Sequence, residues 1–261
     1  MEHHHQEAIA TFLDRYQADT TILAVLLGGS LAHGFAASDS DIDLSLIVDE
    51  AEYARRKQEH KLAFSLWDIC TYAGGYVDCK VVSLAFLQKI SERGSDPARY
   101  AFKDATILFS RIENLGQLLT AVSQFPTAEK ESRRQRFAAQ LLAWRWFYSE
   151  GVKKENSYLM LLAVQKMILF SCRLVLNENE MLYPYHKWLL RETEKAQQKP
   201  ARFDETIQNV LAKHDLALVN ELCAQVMEFL SIEEKSLDWP NHFLHDSELN
   251  WMAHEPPIDD L

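Results

Sequence analysis

The sequence predicts an α+β protein: a small mixed β-sheet domain with flanking helices, followed by an all-α helical bundle. Three observations carry that prediction. Short apolar runs bounded by turn residues recur up to Phe109, as strands require. Beyond Phe125-Pro126-Thr127 strand-like alternation disappears and long helical periodicity takes over. A length of 261 residues, 48% of them apolar, allows one large domain or two small ones with ample core. We place the boundary there, giving domains 1–125 and 126–261.

Taken in order, Met1-Glu2-His3-His4-His5 reads as a frayed polar start or the remnant of a tag, with metal chelation by the histidines as the other reading. It lacks the basic and apolar regions of a signal peptide. Glu7 to Gln17 reads as a short amphipathic helix with Ile9, Phe12, Leu13 and Tyr16 on one side. Thr21 to Leu27 is an almost unbroken apolar run, the pattern of a fully buried strand. Gly28 and Gly29 let the chain turn sharply and lie close to a ligand. Ser30 then opens a helical turn, so free N–H groups and a hydroxyl converge where a phosphate is favoured.

The next strand carries the sharper signal. Side chains on a strand alternate faces, so Asp41, Asp43 and Ser45 share one face and Ile42, Leu44, Leu46 and Val48 the other, core-facing one. At roughly 3.3 Å per residue the two carboxylates stand about 7 Å apart along the strand. Like charges that close repel unless a cation lies between them. Hard oxygen ligands of this kind suit magnesium shared with substrate phosphates. The alternative is that Asp39, Ser40 and Asp41 are loop residues and Asp43 lies on a solvated face.

Asp49 to Lys61 is charged and helix-favouring, and Arg55, Arg56 and Lys57 read as a solvated helix face. Phe64 to Tyr72 is ambiguous between helix end and strand. Gly74-Gly75 is a turn, and Tyr76 to Val82 is a third strand with Tyr76, Asp78, Lys80 and Val82 on one face. Leu84 to Arg93 reads as a helix ended by Gly94, Thr106 to Phe109 as a short strand and Leu115 to Val122 as a helix. In the second half, Glu131 to Glu150, Ser157 to Leu176, Leu189 to Gln197, Phe203 to His214 and Leu216 to Ser231 read as helices. Ser157 to Leu176 is apolar nearly all round, which suggests a central place in a bundle. Glu129 to Lys154 holds seven Lys or Arg against three Glu, either a patch for a triphosphate or a solvated helix face. Asp238 to Leu261 has six Asp or Glu and no Lys or Arg, yet holds Trp239, Phe243, Trp251, Pro256 and Pro257; it reads as a strap packed on the body.

Composition narrows the function. A formal net charge of −11 argues against a nucleic-acid partner, which needs basic surface, and for a small acceptor. No apolar run approaches the ~20 residues of a membrane span. Cys70, Cys79, Cys172 and Cys223 have no metal or redox spacing and read as buried free thiols of a reducing compartment, so we read the protein as cytoplasmic.

The stretch from Leu26 to Val48 resembles the signature of the DNA polymerase beta-like nucleotidyltransferase superfamily: apolar, Gly, Gly or Ser, about ten residues, then Asp-apolar-Asp-apolar. Gly29, Ser30, Asp41 and Asp43 match it in order and spacing. The superfamily takes a third acidic residue from a neighbouring strand; Asp78 is the better match and Asp68 its rival. The helical remainder resembles, in architecture, the accessory domain of antibiotic nucleotidyltransferases acting on kanamycin or lincosamides. The resemblance implies transfer of a nucleoside monophosphate from ATP or another nucleoside triphosphate to a hydroxyl of a small molecule, an antibiotic among the candidates. It implies two Mg2+ ions on Asp41, Asp43 and Asp78, with Asp78 or Glu150 as general base. Gly28, Gly29 and Ser30 would hold phosphates, with Lys187 touching a phosphate and Tyr185 stacking on a base. For Glu150, Tyr185 and Lys187 a helix-end charge, core packing and a surface charge are the competing accounts. Two other functions stand beside this one: a protein-modifying or toxin–antitoxin nucleotidyltransferase, and a non-catalytic nucleotide sensor.

Overall fold

In a computed structural model the chain forms two compact units, Met1–Gln124 and Phe125–Leu261. The structure describes residues 1–253, 255, 256 and 258–260.

The first unit is built on a five-stranded sheet. Its strands are β1 (Ile22–Leu27), β2 (Ile42–Val48), β3 (Ala63–Leu66), β4 (Val77–Ser83) and β5 (Thr106–Ser110), in the order β3-β4-β2-β1-β5. β2 and β4 run parallel and the other neighbours are antiparallel, so the sheet is mixed as expected. Helices α1 (His3–Tyr16), α2 (Gly29–Ala32), α3 (Glu50–Gln58), α4 (Leu84–Arg93), α5 (Asp96–Tyr100) and α6 (Leu115–Val122) connect and cover it. The ambiguous stretch after Lys61 resolves into β3 and a loop, and α5, which the apolar pattern did not signal, starts on a Ser95 cap with Pro97 in its first turn.

Both sheet faces carry a core. Ile42, Leu44, Leu46 and Val48 pack with Ala8, Ile9 and Phe12 of α1. On the opposite face Ala24, Leu26 and Ile47 pack with Leu87 and Ile90 of α4 and Leu115, Leu119 and Val122 of α6. The face that bears Asp43 and Ser45 is therefore not simply the solvent face. It is apolar and covered at Ile47 and half-buried and polar toward the start of β2. That uncovered end is where the site lies.

The second unit is helical: α7 (Lys130–Lys153), α8 (Ser157–Glu178), α9 (Leu189–Glu194), α10 (Phe203–Lys213), α11 (Leu216–Phe229) and α12 (Trp239–Phe243). α7 and α8 form the main pair, and Met167, Cys172, Leu174 and Val175 are buried against α10 and α11. α8 is long and apolar enough to cross a membrane by length and composition, which the run-length reading missed; half of its apolar window is buried within this unit, as in a core helix. Its few polar residues interrupt the run in sequence without breaking the helix.

The acidic tail is packed through its first part. Phe243 lies against Trp144 and Phe147, Asp246 takes both oxygens to Arg136, and Ser247 accepts from Gln140. Of the residues expected in that strap, Pro257 and Leu261 lie outside the described residues, as does His254. All four cysteines are free thiols, with Cys79, Cys172 and Cys223 buried.

Candidate active site

The site is assembled from four short pieces of the first unit. β1 ends in Gly28, whose N–H donates to the Asp43 carbonyl at 2.9 Å, tying the turn to β2. Gly29 has φ +62°, the left-handed region that a side chain resists. A Cβ there would fall 1.7 Å from Asp43 Oδ2, so the carboxylate rests directly on the glycine backbone. Glycine at 29 thus sets both the turn and the close approach of Asp43.

Ser30 follows at the opening of α2. Its Oγ is buried and has no hydrogen-bond partner among the described residues. A buried hydroxyl without a partner is uncommon, because desolvation without a bond costs about 1–3 kcal/mol. The donors at the start of α2 fit an anion that would complete it. His33, at the end of α2, has a side chain only 2% exposed; its Nδ1 lies 3.2 Å from Asp104 Oδ2 and its ring 4.7 Å from Tyr100. This pairing anchors the turn to the segment after α5.

The carboxylates come from the parallel pair. In the β2–β4 register Asp43 stands directly opposite Asp78, and Ile42 opposite Val77. Parallel neighbours in register point equivalent side chains to the same face, so both acids face one way. Asp41 precedes β2 and receives the Tyr76 hydroxyl on Oδ2 at 2.9 Å. That bond to the carboxylate raises the Tyr76 pKa, keeping it a neutral donor. Ser65 Oγ, opposite Asp78 on β3, lies 3.5 Å from Asp78 Oδ1.

The hard oxygen donors fit divalent cations in kind. Among the described residues no three His, Cys, Asp or Glu side chains are already gathered into a metal-ligand set. Tyr76 meets Asp41 on Oδ2 alone, so an ion on Oδ1 is compatible with that bond.

Several sequence candidates resolve otherwise. Asp68 is engaged by Arg15 Nη2 at 2.8 Å, which lowers its pKa, and is a surface ion pair. Glu150 pairs with Lys153 at 2.7 Å and Lys154 at 3.7 Å in the last turn of α7; Lys153 lowers its pKa. Lys187 belongs to the second unit, with Nζ 5.4 Å from the Trp188 ring centroid. Tyr185 is exposed, with its ring 4.4 Å from that of His186, so it is not a core residue.

The N-terminal histidines are neither frayed nor a chelating group. They lie inside α1. His5 is fully buried, with Nε2 3.1 Å from the Ser40 carbonyl, and His4 Nε2 is 2.8 Å from the Ser38 carbonyl. Tyr72 donates to the same Ser40 carbonyl at 2.7 Å and its ring lies 4.2 Å from His4. Three side chains thus hold the loop that delivers Asp41 and Asp43. Burial lowers the His5 pKa and pushes that of Tyr72 up to about 12. The helical phase gave the signal: position 5 lies on the face of Ile9 and Phe12.

A glycine–serine turn at a helix start thus stands beside carboxylates on parallel strands of a mixed sheet. Residues 7–96 match the family model described as nucleotidyltransferase domain. The first unit therefore carries a nucleotidyltransferase domain, and the chain is an enzyme of the transferase class. No curated protein gives a significant match. Among solved structures, a nucleotidyltransferase-like protein from Exiguobacterium sibiricum is similar at 14% identity and TM-score 0.50, over 97% of this chain and 81% of that one. A spectinomycin adenyltransferase from Enterococcus faecialis, solved with ATP and spectinomycin, is similar at 12% identity and TM-score 0.38, over 87% of this chain and 99% of that one. The first likeness is one of fold.

Proposed function

We propose that the protein moves a nucleoside monophosphate from a nucleoside triphosphate, ATP first among them, to a hydroxyl of a small molecule. The observation that carries this reading is the cross-strand pair Asp43–Asp78 set beside Gly29 and Ser30. Divalent ions, two Mg2+ in the proposal, held by Asp41, Asp43 and Asp78 would polarise the phosphoryl oxygens and lower the pKa of the attacking hydroxyl.

The chain's own groups have distinct tasks. The Gly29 and Ser30 amides and the Ser30 hydroxyl hold the β- and γ-phosphates, while Gly28 serves the turn, its own N–H going to the Asp43 carbonyl. Asp78 accepts the proton of the attacking hydroxyl. The acceptor oxygen bonds to the α-phosphorus as the bond to the bridging oxygen breaks, and pyrophosphate leaves toward Ser30. Tyr76 steadies Asp41, and His4, His5 and Tyr72 fix the loop before it. The chemistry is assigned to residues 1–125. Four free thiols support a reducing, cytoplasmic setting.

The test is incubation with α-labelled ATP and magnesium, with and without hydroxylated small molecules or cell lysate. Label on a small molecule, abolished by excess chelator, is expected. Label on protein instead moves the assignment to the protein-modifying reading. No label from any triphosphate leaves a nucleotide sensor.

A further inference from the structure

The second unit holds a cavity that none of the roles above uses. It measures about 890 Å³, within the range of small-molecule sites, and is walled by α7, α8 and the acidic strap. On α8, Tyr158, Leu162, Lys166 and Phe170 recur every four residues and so form one stripe along the wall. On α7, Gln140 and Trp144 line it at the same spacing.

Its rings are held in place but not covered. Trp144 donates from Nε1 to Gln140 Oε1 at 3.2 Å, and Gln140 donates from Nε2 to Ser247 Oγ at 2.8 Å, which fixes the indole. Phe170 is half-buried, with its ring 6.1 Å from that of Phe137. Tyr158 is 76% exposed, so packing of the bundle core does not account for its place on the wall.

The charges are not balanced. Arg136, Lys166 and Arg173 line the cavity against Asp246 and Asp259, one positive charge in excess among the described residues. Arg136 is taken by Asp246 at 2.8 Å. The Arg173 guanidinium lies over the Phe137 ring at 4.1 Å and the Tyr183 ring at 4.9 Å. Lys166 differs. Its Nζ is 5.9 Å from the Trp144 ring centroid, and no carboxylate pairs with it among the described residues.

We propose that this cavity binds a planar aromatic monocarboxylate, its carboxylate on Lys166 and its ring stacked among Trp144, Phe170 and Tyr158. The site belongs to the second unit alone and does not rest on the transfer reaction. One excess positive charge matches one anion, whereas a triphosphate would bring unpaired negative charge beside Asp246. A cationic ring meets Lys166. A neutral ring leaves the ammonium without a counter-charge as water is expelled. An aliphatic acid pairs with Lys166 but forfeits the stacking.

Calorimetric titration of the full chain tests this with 2-naphthoate, its methyl ester, 2-naphthylmethylamine, hexanoate and MgATP. Naphthoate is expected to bind at least tenfold more tightly than the ester, the amine or hexanoate, and MgATP should not displace it. Lys166→Gln should lower naphthoate affinity at least tenfold and leave that of the ester within twofold, and Lys166→Arg should recover most of the loss. Lys213→Gln, at an exposed position on α10, should change nothing. Tyr158→Leu, an exposed change, should weaken naphthoate and the ester alike. The inference is overturned by absent naphthoate binding, by equal binding of the ester or hexanoate, or by full affinity in Lys166→Gln. The same loss in Lys213→Gln, or displacement by MgATP, overturns it too, the first by showing a general charge effect and the second a nucleotide site. Should Lys166→Gln fail to fold, the wild-type panel and Tyr158→Leu decide.

Discussion

The two units treat their interiors differently. In Phe125–Leu261 the long helix α8 is wrapped by apolar neighbours, and burial at Met167, Cys172, Leu174 and Val175 is continuous. In Met1–Gln124 the central strand β2 is covered on both faces near Ile47, yet on one face gives way to Ser45, Asp43 and the loop acid Asp41. A well-packed sheet has no structural need of acids facing each other across a parallel pair, since like charges in register repel. The difference teaches where stability has been given up. The second unit's cavity of about 890 Å³, lined in part by Trp144, Lys166 and Arg173, is a matter of shape; the first unit's site is a matter of charge placed at fixed spacing.

The contrast can be broken most sharply at Asp43. Asp43→Asn is expected to lower transfer more than about a thousandfold, roughly 4 kcal/mol on the barrier, while its melting temperature stays close to that of wild type. A large melting shift, or full activity retained in chelator, would make the acid a structural residue. The opposite experiment belongs to the second unit. Leu222→Ala, at a fully buried position, should cost about 2–5 kcal/mol in urea unfolding and leave ATP affinity of the folded protein unchanged.

Gly29 lies between these extremes, since shape and charge meet there. Gly29→Ala should cost about 1–3 kcal/mol of stability from its left-handed backbone and also weaken ATP binding by displacing the Asp43 carboxylate. A variant that destabilises with unaltered ATP affinity would separate the turn from the site. The smallest effect is expected at His5. Its folded pKa is below the ordinary 6.5, so as pH falls from 6.5 the unfolded chain takes up the proton first and stability is lost toward the depressed folded value. Above 6.5 the contribution is whole. Denaturant titrations from pH 7.5 to 5 should therefore show a steeper loss in wild type than in His5→Asn. Parallel curves would remove His5 from the clamp.

Much of the first unit was legible because chemistry at a site imposes short-range spacing. The Asp-x-Asp spacing marked both acids, although only Asp43 is on β2. Asp41, read as a strand residue, lies in the loop before it, and Gly29 and Ser30 sit on the turn that approaches them. The pairing of Asp78 with Asp43 was readable only as order and face; its register comes from long-range hydrogen bonding between β2 and β4. Tyr76 was placed on the face of Asp78, but its bond to Asp41 depends on a loop geometry that no local pattern encodes. Asp68 competed with Asp78 until Arg15, far away in sequence, claimed it. In the helical unit, periodicity located α7, α8, α10 and α11 closely, whereas the roles of Lys187 and Glu150 were never written in a spacing. The acidic strap was recognisable because aromatics rarely accompany so many carboxylates without burying something.

The histidines at the start of α1 bear on how this protein is handled. A run of three histidines looks like cloning residue and invites trimming, or immobilisation on nickel resin. Two of those imidazoles are engaged with the backbone that precedes Asp41. Trimming or metal capture at that end would loosen the very loop whose chemistry is being assayed, so a handle for purification belongs elsewhere on the chain.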